Sequence, residues 1–156
     1  MFSVLFVCTG NQFRSPIAAE VFRERLARDG RSRLWQVRSA GTWTTSGLNA
    51  PREAVQLAKS FGVNIEGHLT RALDNNLLEE TGVVLVMETG HKESIQVEFP
   101  IVRSKVHLLS EVIEGNSFDI PDPAGAPGEA REIIRELVEM IRSGAGRIYQ
   151  LVEKQK

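Results

Sequence analysis

Phe2-Ser3-Val4-Leu5-Phe6-Val7-Cys8, followed by Thr9-Gly10-Asn11-Gln12-Phe13-Arg14-Ser15-Pro16, is the stretch whose reading decides the fold. Its first half is short, nearly continuous in apolar residues and rich in β-branched ones, the pattern of a strand buried on both faces of a parallel sheet. Its second half is polar and carries Gly. Ser15-Pro16 then reads as a helix start, Ser capping and Pro in the first turn. Ile17, Val21, Phe22 and Leu26 follow at helical spacing, and Gly30 closes the element. The unit is strand, tight loop, helix.

The alternation continues outward. Trp35 to Ala40 is a less apolar strand, nearer an edge. Pro51 to Phe61 is a helix with Ala54, Leu57, Ala58 and Phe61 on one face, stopped by Gly62. Asp74 to Glu79 is a short helix. Val83 to Met87 is a second buried strand, Lys92 to Phe99 a helix ended by Pro100, and Lys105 to Leu109 a fourth strand. Ile120 to Gly128, with three prolines and two glycines, is a loop, and Glu129 to Ile141 is the clearest helix. Strands alternating with helices predict an α/β fold, a four-stranded parallel sheet flanked by helices in three layers. The 156 residues suit a single domain over 1–156.

Composition narrows the partners. Lys plus Arg number 19 and Asp plus Glu 20, a formal net charge of −1. That balance gives no general attraction to nucleic acid or anionic membrane, so anion binding must be local. No run approaches the roughly 18 apolar residues of a membrane span, and the N-terminal run lacks the basic flank of a secretory signal. The single cysteine, Cys8, excludes an internal disulfide, argues against a cysteine-based metal site and fits a reducing compartment. A cytoplasmic protein is expected.

The loop from Cys8 to Ser15 lies where open parallel sheets bind ligands, beyond a strand's carboxyl end. It also leads into a helix N-terminus, whose free N–H groups and dipole favour an anion. Gly10 and Asn11 can adopt the left-handed conformations that turn successive N–H groups inward, so a phosphate would fit this cradle. Cys8 and Arg14 stand at the Cys-x5-Arg spacing. Helix terminus and guanidinium both favour the nucleophilic thiolate, and Arg14 can hold two phosphoryl oxygens as Lys could not. The Ser15 hydroxyl is placed to donate to the sulfur. A strand-end Cys is usually packing and a loop Arg usually solvated; the strand-loop-helix setting separates this pair from that default. Displacement at phosphorus also needs an acid for the leaving group. Asp122 and Asp119 both lie near the Pro/Gly-rich loop, and spacing alone does not choose between them.

These residues resemble the low-molecular-weight protein tyrosine phosphatases, bacterial members above all. Val4 to Pro16 matches the family's N-terminal signature, and Ser39-Ala40-Gly41-Thr42, His68 with Thr70-Arg71, Val86-Met87-Glu88 and Asp122-Pro123 follow in family order. The resemblance implies hydrolysis of protein phosphotyrosine, with Cys8 as the nucleophile of a phosphocysteine intermediate, Arg14 as phosphate clamp and Asp122 as general acid and then base. It implies a phosphorylated protein as substrate and no metal or organic cofactor. It also implies that Thr9, Gly10, Asn11, Gln12, Phe13 and Ser15 bind the phosphate group, with Ser39 and His68 supporting the loop.

Three departures bear on substrate. Phe13 stands where many relatives have a second Cys. Gln12 stands where tyrosine phosphatases usually have Ile and arginine phosphatases of the same family have Thr. Ala124-Gly125-Ala126-Pro127 replaces the aromatic residues that commonly wall the slot, which is closer to the arginine-phosphatase branch. Trp43 is a candidate for the missing wall. Protein-arginine phosphatase is therefore the alternative. A thiol-linked arsenate reductase would need further cysteines, and a silent anion-binding module would not need Cys8, Arg14 and Asp122 together. A nucleotide P-loop lacks its Gly-Lys-Ser/Thr ending. His91 and His107 have no partners at metal spacing and read as surface or structural residues.

Overall fold

In the computed structural model, which describes residues 1–155, the apolar N-terminal run is strand β1 (Phe2–Cys8) at the centre of the sheet. Helix α1 (Arg14–Arg28) follows, then β2 (Trp35–Gly41), α2 (Arg52–Ser60), α3 (Asn75–Glu80), β3 (Val83–Val86), α4 (Thr89–Glu98), β4 (Val106–Leu108), α5 (Leu109–Glu114) and α6 (Ala130–Lys154). The four strands lie in the order β2-β1-β3-β4, and every pairing is parallel. β2 is an edge strand, as its mixed composition suggests.

Alternation along β1 builds two cores. Val4, Phe6 and Cys8 face the layer of α1 and α6, where Phe22, Leu26, Ile134, Ile141 and Tyr149 are buried. Leu5 and Val7 face the other layer with Val84, Val86, Leu77, Leu78 and Ile95. The three-layer α/β expectation is met. An aromatic cluster fastens the first core: the Phe22 ring lies 5.7 Å from Phe6, 5.5 Å from Trp35 and 5.6 Å from Tyr149. Such pairs stabilise by about 0.5–1.5 kcal/mol each beyond area burial.

The chain leaves β1 for β2 on one side and returns to β3 on the other, so strand order reverses next to β1. Ligands in such sheets bind outside the carboxyl ends at that reversal, and Cys8 is the last residue of β1.

Several boundaries differ from expectation. α1 begins at Arg14 rather than at a Ser15 cap, and Phe13 holds the cap position without a side-chain bond; the Ser15 hydroxyl is spent on the cysteine instead. α6 runs to Lys154, well past Ile141. Its Gly144 interrupts the apolar pattern but lets α5 approach, because a Cβ there would collide with Ile113. α5 follows β4 without a break and is only six residues long, too short to show a period.

Candidate active site

Asn11 organises the loop after β1. Its φ is 55°, the one positive φ outside glycine among the described residues, and Asn tolerates that region better than most side chains. Its Nδ2 donates to Ser15 Oγ at 2.8 Å and to Ser39 Oγ at 3.0 Å. Its Oδ1 accepts from the Arg71 amide at 2.8 Å, and its carbonyl accepts from His68 Nε2 at 2.6 Å. Arg71 and Ser39 thus reach the loop from two other segments. β2 closes its flank, with the Thr42 amide donating to the Cys8 carbonyl and the Trp43 amide to the Thr9 carbonyl, each at 3.0 Å. The approach is so close that a Cβ on Gly41 would stand 2.6 Å from the Thr9 oxygen; that position requires glycine.

Cys8 is 2% exposed, and its Sγ lies 3.0 Å from Ser15 Oγ. The hydroxyl already accepts from Asn11 Nδ2, and the Ala40 carbonyl is 3.5 Å away. That leaves its proton for the sulfur, the donor that a nucleophilic sulfur would use.

Arg14 is 1% exposed. Its Nη1 donates to Glu88 Oε2 at 2.6 Å and to the Ile120 carbonyl at 2.7 Å. Nη2 has no hydrogen-bond acceptor among the described residues and lies 3.9 Å from Asp122 Oδ2. A guanidinium anchored through one nitrogen keeps its remaining donors for an oxyanion.

Asp122 has 47% of its side chain exposed and accepts one hydrogen bond, from the Ala124 amide at 3.0 Å. Asp119 is committed elsewhere: its Oδ1 accepts from the Thr89 amide at 2.8 Å, at the start of α4. Geometry thus separates the two acids that spacing left level.

Cys8, Gly10, Gln12, Phe13, Arg14 and Asp122 line one cavity of about 70 Å³, together with Pro51 and Ala124. Thr9, Asn11, Ser15, Ser39 and His68 are not among its walls. Trp43 is also outside it, 85% exposed, and is joined to the loop by its amide alone. The aromatic wall expected of it is not built; Phe13 is the aromatic residue that borders the cavity.

Two residues were missed as parts of this assembly. Glu88 caps α4 and holds Arg14. His91, expected at the surface or in a structural role, is buried, with Nδ1 accepting from the Glu88 amide at 3.1 Å. Its neutral ring then carries the proton on Nε2 and donates it to Thr9 Oγ1 at 2.8 Å. Burial, and next the Arg14 charge, hold its pKa below the ordinary 6.5, against the pull of Glu88, Asp119 and Asp122. His68 is likewise lowered, chiefly by burial, with its bond to Asn11 opposing. The missed signal was Glu88-x-x-His91 directly after β3, the strand beside β1.

Comparison with known proteins agrees with this geometry. The family model described as low molecular weight phosphotyrosine protein phosphatase matches residues 3–156. The chain is 33% identical over 137 residues to the low molecular weight protein-tyrosine-phosphatase Etp of Escherichia coli K12, covering 88% of this chain and 87% of that one. It is 32% identical over 149 residues to a protein-arginine-phosphatase of Bacillus subtilis, covering 89% and 96%. The crystal structure of a low molecular weight protein tyrosine phosphatase from T. tengcongensis superposes with a TM-score of 0.80 at 33% identity, covering 99% of each chain.

Proposed function

Because the chain belongs to the low molecular weight phosphotyrosine protein phosphatase family, we propose that it hydrolyses protein phosphotyrosine through a phosphocysteine intermediate. It is a phosphatase, and phosphorylated protein is its class of substrate. The observation that carries the mechanism is the meeting of Cys8, Arg14 and Asp122 in one small cavity, with Ser15 Oγ 3.0 Å from the sulfur.

The phosphate enters the cradle of loop amides, and the free Arg14 donors hold its equatorial oxygens. Cys8 Sγ attacks phosphorus; the S–P bond forms as the P–O bond to the tyrosine breaks. Asp122 gives its proton to the departing phenolate oxygen. The resulting Asp122 carboxylate then takes a proton from water, whose oxygen attacks phosphorus. The S–P bond breaks, inorganic phosphate leaves, and Ser15 receives the thiolate again. Glu88 and His91 hold Arg14 and Thr9 and take no part in the bond changes.

Hydrolysis of protein phosphoarginine is the second reading. It is favoured by the Bacillus subtilis relative's name and by a cavity bordered by Gln12 and Ala124 rather than by an aromatic residue of the acid loop. We further infer one phosphatase domain across 1–156 and a cytoplasmic location, supported by the lone Cys8 and by the lack, among the described residues, of a helix long and apolar enough to cross a membrane.

Cys8→Ser should abolish release of phosphate from p-nitrophenyl phosphate and from a phosphotyrosine peptide; full activity in that variant would end the mechanism. Matched phosphotyrosine and phosphoarginine peptides, compared by kcat/KM, decide the substrate residue. A strong preference for phosphoserine would reject both readings.

A further inference from the structure

The 70 Å³ cavity that holds Cys8 has a neighbour seven times its size. A groove of about 490 Å³ is lined by Phe13, Pro51, Gln56, Leu57, Pro123, Ala124, Pro127 and Ala130, with Glu53, Ser60 and Arg131 completing its walls. Its volume is within the range of sites that bind small molecules or side chains. Phe13, Pro51 and Ala124 border both spaces, so the groove opens directly beside the phosphate cavity. None of its residues takes part in the chemistry proposed for Cys8, Arg14 and Asp122.

The groove exists because of particular residues. Ala124, Pro127 and Ala130 contribute little bulk on one side. Phe13 and Leu57 give it an apolar floor, both packed on the main core. Arg131 stands as a wall rather than filling the space: its guanidinium lies 5.0 Å over the Phe61 ring, and its Nη1 donates to Ser60 Oγ at 3.2 Å. Six of its residues come from α2 and the start of α6, helices packed on each other and on the core, and the others from Phe13, Pro51 and the loop carrying Pro123, Ala124 and Pro127.

We propose that this groove is a substrate subsite that takes an apolar side chain flanking the phosphorylated residue of a protein substrate. The inference rests on the protein-phosphatase reading of the cavity. A phosphorylated residue seated against Cys8 must continue as polypeptide out of a very small space, and the three shared walls border the exit. The lining is mainly apolar, so the neighbour it rewards is Leu, Met or Phe rather than a charged residue. Ring stacking by an aromatic residue on the acid loop, absent from Ala124 to Pro127, is replaced here by contact one or a few residues away from the phosphate.

The test uses phosphotyrosine peptides in which one flanking position at a time is Leu or Asp, with p-nitrophenyl phosphate as a substrate that cannot reach the groove. The enzyme should favour Leu over Asp by about tenfold or more in kcat/KM at one position, the difference expected for burying one such side chain. Ala130→Phe, which fills the groove, and Leu57→Asn, which makes its floor polar, should each bring that ratio close to one. Both should leave p-nitrophenyl phosphate turnover within about twofold. A Leu/Asp ratio near one at every position in the natural enzyme, or a ratio unchanged in both variants, overturns the subsite. Failure of the parent reading looks different: no hydrolysis of p-nitrophenyl phosphate or of any phosphopeptide.

Discussion

The loop from Cys8 to Ser15 and the loop from Ile120 to Gly128 face each other across one cavity, yet they are built in opposite ways. In the first, Asn11, Arg14 and Ser15 are buried, and their polar atoms are tied to β2, α4 and the His68–Arg71 segment. In the second, Asp122 is half exposed and makes a single bond to its own turn. The difference matches the work that the proposed mechanism gives each loop. A thiolate and a phosphate must be met by dipoles already in place, because reorienting them during reaction would cost the stabilisation they give. An acid that protonates the leaving group and then activates water must serve two geometries, and solvent access helps the second. Rigidity is concentrated where charge is held, and freedom where protons are exchanged.

The largest test of the rigid loop is Arg14→Lys. The charge survives but the fork does not, and neither Glu88 nor Ile120 can anchor an ammonium while it also clamps phosphate. Turnover of p-nitrophenyl phosphate should fall by roughly a thousandfold. Retention of a tenth of the activity would mean that charge alone suffices.

Asp122→Asn tests the second loop. Turnover of alkyl or phenyl phosphates should drop by about two to three orders of magnitude, and that of the better leaving group p-nitrophenol by less. Asn still caps the short turn through its side-chain oxygen, so the melting temperature should hold. Asp119→Asn should show the reverse, with activity little changed. Equal loss in both variants would dissolve the assignment.

Asn11→Ala sharpens the contrast by coupling what Asp122→Asn separates. It removes three side-chain bonds, leaves the Arg71 amide without its acceptor and keeps a left-handed φ on a residue that disfavours it. A loss of about 3 kcal/mol in denaturant unfolding is expected together with a loss of activity. An unchanged unfolding midpoint would show that the loop is not fixed through Asn11.

The smallest expected effect is on pH dependence. His68 and His91 both have folded pKa values below the ordinary 6.5. Below about that pH the unfolded chain binds more protons than the folded one, so stability rises with pH through the window and falls on acidification. Charging His91 would also put a proton on Nδ1, facing the Glu88 amide. The melting temperature, followed from about pH 7 to about pH 5, should fall less steeply for His91→Asn than for the natural chain. Parallel curves would remove His91 from this account.

Much of this was legible before any coordinates. Continuous apolar runs at Phe2–Cys8 and Val83–Met87 identify buried strands because both sheet faces are covered. Cys8, Arg14 and Ser15 could be paired because they sit within one loop. The choice of Asp122 over Asp119 was not readable from spacing, since it turns on Asp119 being bound to the Thr89 amide. Glu88 and His91 were missed for the same reason: their partners, Arg14 and Thr9, are more than seventy residues away. The second half of α6 was hidden by Gly144 and Gly146, which sequence periodicity treats as interruptions, although packing uses Gly144 for the close approach of Ile113. Trp43 shows the converse error. A large ring near the loop invites a role in the cavity, but it is turned out to solvent and the smaller Phe13 has that place.

Asn11 also bears on when the enzyme becomes an enzyme. Its bonds reach Ser39, His68 and Arg71, separated from it by 28, 57 and 60 positions. Contacts so distant in sequence form only after the intervening chain has been brought together. A polypeptide emerging from synthesis with fewer than about seventy residues has β1 and Cys8 but still lacks the Arg71 amide that holds the Asn11 side chain. Cys8 is made early, and the loop around it is fixed late.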